Sequence, residues 1–384
     1  MGTFKCEIQF DDNPQSIFYA GQSLNGKVVL TLTKPKTMKD MLLRIVGKAS
    51  CSCSGKENYT DGDKQRTRTT KFSAEETYFE SVTHLLGRNK GAKTTLPAGK
   101  HSYNFATILP PNMPCSFEGK HGYVRYTAKV TLLRPWKFDQ HCKQAFTVIS
   151  HKDLNLEPSY RWPLQVENTQ YFCCGLSGPL NLSVRIPTRA YVPGQEVDLE
   201  IEVANRSRIK VQNLRCSLYQ LIQYHFQTPH KRTKEVKVLL SESIAPGVKR
   251  NTSANLSHSV KLPPMPPTDL PYCNIIDIKY QIEVLARVNR LYDNLDITLP
   301  IVIGTIPLIA MNPITAPASP PNLNVTPGPS APLLQEYLPT YEESFHHTKS
   351  IIENENPKQT LGFEGFTPKY PVYQHIENSN TVGT

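Results

Sequence analysis

The amino-acid sequence predicts an all-β protein, with two immunoglobulin-type β-sandwich domains and a disordered carboxyl-terminal tail. Short segments of alternating apolar and polar residues, such as KVVLTL and VDLEIEV, dominate residues 1–304 and are separated by Gly, Pro and Asn. This spacing is typical of antiparallel sandwiches or barrels. Four sequence blocks occur twice in the same order, which indicates two related domains. Beyond residue 304 both periodicities are lost, and 12 of the 32 prolines lie there.

The first repeated block places a turn before a strand in each half of the chain. FYAGQSLNGKVVL at residues 18–30 aligns with YVPGQEVDLEIEV at residues 191–203. Gly21 and Gly194 lie in the turn, where we expect a positive φ that glycine adopts without strain. The positions after them match every second residue, so they share one face of a strand. The matched positions are Leu24, Gly26, Val28 and Leu30 in the first copy and Val197, Leu199, Ile201 and Val203 in the second.

Three further blocks extend the repeat over most of both halves. LLRIVG (42–47) aligns with NLRCSL (213–218), TILPPNMP (107–114) with VKLPPMPP (260–267), and YVRYTAKV (123–130) with IDIKYQIEV (276–284). We interpret the blocks as one duplicated β-sandwich; the alternative is two unrelated sandwiches with similar turns. The predicted domains are 1–165 and 175–306, and the predicted tail is 307–384.

The tail carries two short motifs of the kind that WW domains bind. A Pro-rich segment of low apolar content cannot bury enough surface to offset its ordering entropy, so we expect it to be disordered. LPTY contains Leu338, Pro339 and Tyr341, and TPKY contains Pro368 and Tyr370. A WW domain binds a polyproline II segment in an aromatic groove, and the tyrosine fills a second pocket. The alternative is a solvated tail without a binding role.

Positive charge is concentrated in the two domains. The formal net charge is +10, yet residues 305–384 contain three Lys, no Arg and seven Glu, so residues 1–304 carry the whole excess. A basic body suggests an anionic partner surface, such as a membrane. Two basic clusters lie in predicted loops and are candidates for contact with acidic lipid headgroups; the alternative is solvated loops. Their members are Lys64, Arg66, Arg68 and Lys71 in the first cluster and Lys231 and Arg232 in the second.

The sequence contains no known catalytic, metal-binding or nucleic-acid-binding motif. No nucleophile elbow, phosphate-binding loop, dinucleotide fingerprint or zinc-protease motif occurs, so we do not expect an enzyme. The nine cysteines show no zinc-site spacing, and no cofactor or metal is expected. No nucleic-acid-binding motif accompanies the charge, so nucleic acid is not an expected partner. With no signal peptide and no apolar run of 18 residues, we expect a cytoplasmic protein with buried thiols.

Taken together, the repeated sandwiches, the aromatic-x-x-Gly-Gln entries, the LPP blocks and the Pro/Tyr tail resemble the α-arrestin (arrestin domain-containing protein) family. EGKHGYVRYTAKV at 118–130 and FCCGLSGPL at 172–180 are the most specific segments. The resemblance implies two arrestin-like sandwiches that bind transmembrane receptor or transporter cargo. It also implies tail motifs that recruit WW-domain HECT-class ubiquitin ligases, so that the cargo is ubiquitinated and moved from the plasma membrane to endosomes.

The LPTY motif departs from the family pattern in one position. Leu338 stands where the family has the first Pro of Pro-Pro-x-Tyr. The alternative function is therefore a signalling or metabolic scaffold, which binds a soluble partner through its sandwiches and needs no ligase.

Overall fold

A computed structural model of the chain describes residues 4–87, 93–172, 178–309, 339–344, 348–352, 360–362 and 365–374. Within these residues the regular structure consists of β-strands and two short 3-10 turns, Leu154–Leu156 and Pro158–Arg161. The first domain contains β1 (Phe4–Phe10), β2 (Ile17–Tyr19), β3 (Ser23–Leu32), β4 (Lys36–Met38), β5 (Asp40–Asp61), β6 (Lys64–Leu86), β7 (Thr94–Leu96), β8 (Gly99–Ile108), β9 (Phe117–Glu118), β10 (Gly122–Leu133) and β11 (Gln140–Ile149).

The first domain is a sandwich of two sheets. One has the order β1-β3-β8, and the other has the order β2-β11-β10-β5-β6. Alternating residues of β3 and β10 point into the core between the sheets, because successive side chains of a strand leave on opposite faces. Leu24, Val28, Val124 and Tyr126 are fully buried there.

The second domain repeats this arrangement. Its strands are β12 (Leu164–Gln170), β13 (Leu180–Ile186), β14 (Ala190–Tyr191), β15 (Glu196–Asn205), β16 (Asn213–Phe226), β17 (Arg232–Pro246), β18 (Thr252–Lys261), β19 (Ile276–Arg287) and β20 (Leu295–Ile303). They form one sheet of order β12-β13-β15-β18 and another of order β14-β20-β19-β16-β17. The all-β class with two sandwiches is therefore confirmed.

The sequence repeat corresponds to repeated contacts in the two domains. Gly21 and Gly194 have φ angles of 88° and 95°, as the turn interpretation predicts. The hydroxyl of Tyr126 donates to the carbonyl oxygen of Pro114 at 2.6 Å, and that of Tyr280 donates to Pro266 at 2.7 Å. Each repeated tyrosine thus ties its central strand to the LPP segment of its own domain, where its polar group finds the partner that burial requires.

The prediction ended the first domain at residue 165 and left residues 166–174 between the two domains. Strand β12 pairs with β13 from Leu164 to Gln170 and therefore belongs to the second sandwich. The 3-10 turns that precede it connect the two domains. No residue of this edge strand is fully buried. Its sequence therefore lacks the clear apolar alternation that predicts a strand.

Parts of the predicted tail form strands on the two domains. They are β21 (Thr340–Glu343), β22 (Lys349–Ser350), β23 (Thr360–Gly362), β24 (Gly365–Phe366) and β25 (Lys369–Val372). For these segments the structure differs from the expected disorder, because surfaces of the sandwiches bury their few apolar side chains. Residues 310–338 lie outside the described residues.

Candidate functional site

The two sandwiches meet along the inner halves of β5 and β6. The backbone nitrogen of Ser73 donates to the carbonyl oxygen of Thr228 at 2.9 Å. Beside this bond, the ring centroids of Phe72 and Phe226 are 6.4 Å apart. The hydrophobic core continues from one domain into the other through such contacts. The seam between the domains is therefore fixed by both polar and apolar contacts.

Residues 339–344 and 365–374 lie against both sandwiches, and we call these two segments the docked tail. Strands β21 and β25 pair antiparallel, with Thr340 opposite Val372 and Tyr341 opposite Pro371. The tyrosine of each motif that was predicted to bind WW domains thus lies on one strand of this two-stranded sheet. Tyr370 is opposite Glu342, so the two motifs lie on paired strands but are offset from each other.

Tyr370 holds the docked tail to the first domain. Its side chain is 0% exposed and belongs to the shared hydrophobic core. Its hydroxyl donates to the carbonyl oxygen of Ser116 at 2.9 Å. Burial raises its pKa well above the ordinary tyrosine value, since a phenolate cannot be solvated there. Next to it, the backbone nitrogen of Lys369 donates to Oγ1 of Thr147 at 3.2 Å.

Tyr373 holds the same segment to the second domain. Its backbone nitrogen donates to the carbonyl oxygen of Pro193 at 2.9 Å, and its hydroxyl donates to that of Thr305 at 2.7 Å. Burial raises the pKa of Tyr373 to about 12. The turn glycine Gly194 leaves room for this approach, because a Cβ there would lie 2.5 Å from the Tyr373 carbonyl oxygen. The docked tail therefore bridges the two sandwiches.

Tyr341, the tyrosine of the LPTY motif, lies nearer to solvent. Its side chain is partly exposed, and its hydroxyl shares a hydrogen bond of 2.8 Å with the hydroxyl of Tyr19. Burial and this bond raise the pKa of Tyr19. A partner that takes up the Tyr341 side chain must break this hydroxyl contact first.

The predicted WW-binding residues thus differ in accessibility. Pro339 and Tyr341 are partly exposed, whereas Pro368 and Tyr370 are buried, and Leu338 lies outside the described residues. The sequence reading missed the anchoring role of Tyr370. The available signal was its alternation with Val372 in KYPVY, which is strand-like but too short to distinguish docking from a free motif.

A second tail segment lies over a buried ion pair of the first domain. Nε and Nη2 of Arg125 donate to the two carboxylate oxygens of Glu118 at 2.6 and 2.9 Å, and both side chains are buried. Lys349 of the tail donates to the carbonyl oxygen of Gly119. Burial lowers the pKa of Lys349, and the Glu118 carboxylate opposes that shift. Lys349 of the tail thus lies close to both charged groups of the ion pair, Glu118 and Arg125.

The two predicted basic clusters lie side by side in the structure. Beyond residue 54, β5 and β6 continue as a two-stranded basic arm, residues 54–71, which reaches residues 228–232 of the second domain. Glu57 lies between the clusters, 3.6 Å from Arg68 and 3.1 Å from His230. A hydrogen bond from Thr70 and these nearby cations lower the pKa of Glu57. Arg232 stacks on the Phe72 ring, with its guanidinium carbon 4.6 Å from the centroid.

The other cationic side chains of the two clusters face solvent. Lys64, Arg66, Lys71 and Lys231 are exposed, and Arg66 lies 3.0 Å from the Asp61 carboxylate. Part of the predicted positive surface is thus neutralised by carboxylates of the arm, while the remainder is available to an anionic partner.

Among the described residues, no group of three or more His, Cys, Asp or Glu side chains is arranged to hold a metal ion. None of the helical segments in the same part of the chain is long and apolar enough to cross a membrane.

Both halves of the chain match known protein families. The family described as arrestin (or S-antigen), N-terminal domain, matches residues 6–155. The family described as arrestin (or S-antigen), C-terminal domain, matches residues 176–308. These ranges cover most of the two sandwiches, and the edge strand β12 lies between them.

Full-length relatives agree with this match. Arrestin domain-containing protein 17 of Caenorhabditis elegans is 30% identical over 317 residues, which are 80% of this chain and 71% of the relative. Arrestin domain-containing protein 1 of Homo sapiens is 30% identical over 332 residues, 85% of this chain and 70% of the relative. Arrestin domain-containing protein 4 of Mus musculus is 28% identical over 311 residues, 78% and 71% of the two chains.

Proposed function

The chain belongs to the arrestin family, among the arrestin domain-containing proteins or α-arrestins, and on this premise we propose that it is a non-catalytic adaptor that links membrane cargo to a WW-domain ubiquitin ligase. Family membership supports an adaptor-like role in general. The ligase, the cargo and the route to endosomes are the specific parts of the proposal. Its proposed location is the cytoplasm, at the inner face of the plasma membrane and of endosomes.

The observation that carries the ligase part is the placement of the LPTY motif. Pro339 and Tyr341 are partly exposed, and Tyr341 lies in a strand that pairs only with another tail strand among the described residues. A short strand pair is marginal without further packing, so access of a WW domain to β21 depends on how firmly its partner β25 is docked. Tyr341 contacts the first domain through the hydrogen bond between its hydroxyl and the Tyr19 hydroxyl.

The basic arm supports the membrane part of the proposal. Its exposed cations come from both domains and form one continuous surface around Glu57. Such a surface fits the anionic inner leaflet, or acidic cytoplasmic segments of a membrane protein, and would increase the association rate with either.

The alternative function is a scaffold for a soluble partner that acts through the sandwiches alone. The burial of Tyr370 favours it, because a docked tail that contributes core side chains resembles a structural element rather than a free ligand. On this reading Tyr341 has no binding role of its own.

Binding of the full chain and of a peptide spanning residues 333–347 to a panel of WW domains separates the two functions. We expect micromolar binding of the peptide, about −8 kcal/mol, and loss of binding in both forms after Tyr341→Ala. Tyr171→Ala, at an exposed tyrosine outside the tail, is the matched control and should bind normally. Absence of binding to every domain of the panel would remove the ligase link and leave the scaffold.

A further inference from the structure

The turn between β10 and β11 exposes two large aromatic side chains at one tip. Trp136 is 96% exposed and Phe138 is 77% exposed. We call residues 134–139 the distal turn. Full exposure of a tryptophan forfeits the burial that normally stabilises this side chain in a folded protein. Its position therefore calls for a reason outside the packing of the domain.

The distal turn lies at the end of the first domain that is remote from the second. Strand β10 pairs with β5 from Gly122, opposite Cys51, to Leu133, opposite Asp40. Cys51 lies at the seam, where its thiol faces the carbonyl oxygen of Ile275 in the second domain. Eleven residues of strand separate the seam from the turn. At the usual rise per residue they span a distance of about 35 Å. The tip is thus far from the seam and from the basic arm, which extends β5 and β6 beyond the seam.

The backbone of the distal turn is held in a conformation that does not favour tryptophan. Trp136 has a φ of 56°, in the left-handed region that glycine and asparagine usually occupy. The guanidinium of Arg134 fixes the turn, since Nε and Nη2 donate to the carbonyl oxygen of Phe138 at 2.8 and 2.6 Å. A bulky aromatic kept at a strained and rigid tip is the kind of outlier from which function can be inferred.

Positive charge surrounds the aromatic tip. Lys137 is exposed between the two aromatic residues, Arg134 begins the turn, and Lys36 donates to the side-chain oxygen of Gln140 directly after the turn. Burial, and then the positive charge of Arg134 and of Lys137, lower the pKa of Lys36 to about 8. The one carboxylate of the turn, Asp139, accepts a hydrogen bond from the backbone nitrogen of Arg134.

We propose that the distal turn is a membrane-interface anchor, which inserts Trp136 and Phe138 into the headgroup region of an anionic bilayer. Tryptophan prefers the boundary between headgroups and hydrocarbon, and adjacent cations bind anionic lipids. A protein partner would instead need a broad complementary surface of about 800 Å² around the aromatic residues, whereas these project from a narrow turn. The inference deepens the membrane part of the proposed function, but it involves neither cargo nor ligase.

The chain's two tryptophans, Trp136 and Trp162, allow a direct test by fluorescence. Trp162→Phe leaves Trp136 as the only reporter, and Trp136→Phe leaves the 61% exposed Trp162 as the matched control. Each full-length variant is titrated with phosphatidylcholine vesicles, with and without about one third phosphatidylserine, since anionic lipid supplies the attraction. We expect a blue shift of Trp136 and its quenching by brominated lipid only with the anionic vesicles, and neither change for Trp162.

Two substitutions extend the test without threatening the fold. Trp136→Gly suits the φ of 56° and should weaken vesicle binding about tenfold, because the inserted apolar surface is lost. Lys137→Glu reverses an exposed charge and should weaken it about fivefold or more for each unit of charge.

Three outcomes would overturn the anchor. They are failure to bind anionic vesicles, unchanged binding by Trp136→Gly, and binding during which Trp136 stays unquenched. Loss of vesicle binding only after Arg66→Glu and Arg68→Glu would also overturn it, while it would support the membrane role of the basic arm. A WW-domain titration of the same proteins tests the ligase link separately.

Discussion

Tyr370→Ala should release the docked tail and thereby expose the LPTY motif. The side chain is fully buried and its hydroxyl bonds to Ser116, so truncation removes both core packing and a hydrogen bond. Replacing a buried aromatic by alanine costs about 3–5 kcal/mol. If docking carries the whole loss, its equilibrium constant falls by a factor of about 10² to 10³ or more, since 1.4 kcal/mol is a factor of ten.

Release of the tail should appear as tighter binding of a WW domain. The apparent dissociation constant equals the intrinsic constant divided by the fraction of chains whose motif is free. We therefore expect the full chain to bind more weakly than the free peptide 333–347, and Tyr370→Ala to bring it close to the peptide value. Isothermal titration with one WW domain measures the affinities, and amide exchange at Tyr373 and Ser344, whose nitrogens donate within the dock, measures the release.

Two results would refute this reasoning. In the first, Tyr370→Ala exchanges these amides rapidly yet binds the WW domain no better, in which case docking does not limit access to Tyr341. Alternatively, the amides stay protected, in which case Tyr370 does not hold the tail. Tyr341→Ala combined with Tyr370→Ala should abolish binding and exclude a contribution from other tail sequences.

Three further predictions concern the contacts around the dock. Tyr19→Phe removes the hydrogen bond to the Tyr341 hydroxyl of the LPTY motif, which contributes about 0.5–1.5 kcal/mol. Binding of the full chain to a WW domain should therefore become about 2- to 12-fold tighter in the same titration. An unchanged dissociation constant would contradict this prediction. Gly194→Ala puts a methyl 2.5 Å from a tail carbonyl oxygen and should speed tail amide exchange, whereas Gly21→Ala, equally strained but clear of the tail, should not. Glu118→Ala leaves the Arg125 guanidinium buried without this carboxylate and should lower the free energy of unfolding by about 3–5 kcal/mol. The loss is measured as a lower midpoint of thermal unfolding. An unchanged midpoint would contradict the prediction and show that the site admits water.

The fold was predictable because its signals are local. Strand period, turn glycines and the order of repeated blocks can all be read within a few residues, and they indicated both sandwiches. The positive φ of Gly21 and Gly194 confirms the turn interpretation in each copy. Most of the short edge strand at Leu164–Gln170 was left between the two predicted domains, since its exposed side chains carry no pattern that points to a partner.

The candidate site was only partly predictable. The sequence drew attention to Tyr341 and Tyr370 as WW-binding residues and to two basic clusters as lipid contacts, and both roles stay predictions. It gave no indication that the two tyrosines lie on paired strands, or that Glu57 joins the clusters. Whether a motif is free or docked depends on the surface it meets, and that surface is assembled from residues far away in the chain.

By itself, the sequence determined that the chain forms two related sandwiches with a basic body and an acidic, Pro-rich tail, because alternation and composition act over short distances. Only the tertiary structure decided that Tyr370 is a core residue, since its partner Ser116 is 254 positions away. The same holds for the distal turn, where exposure of Trp136 follows from its place at the far end of a long strand pair. Burial is a property of the assembled surfaces, and identical side chains become anchors or contacts according to what surrounds them.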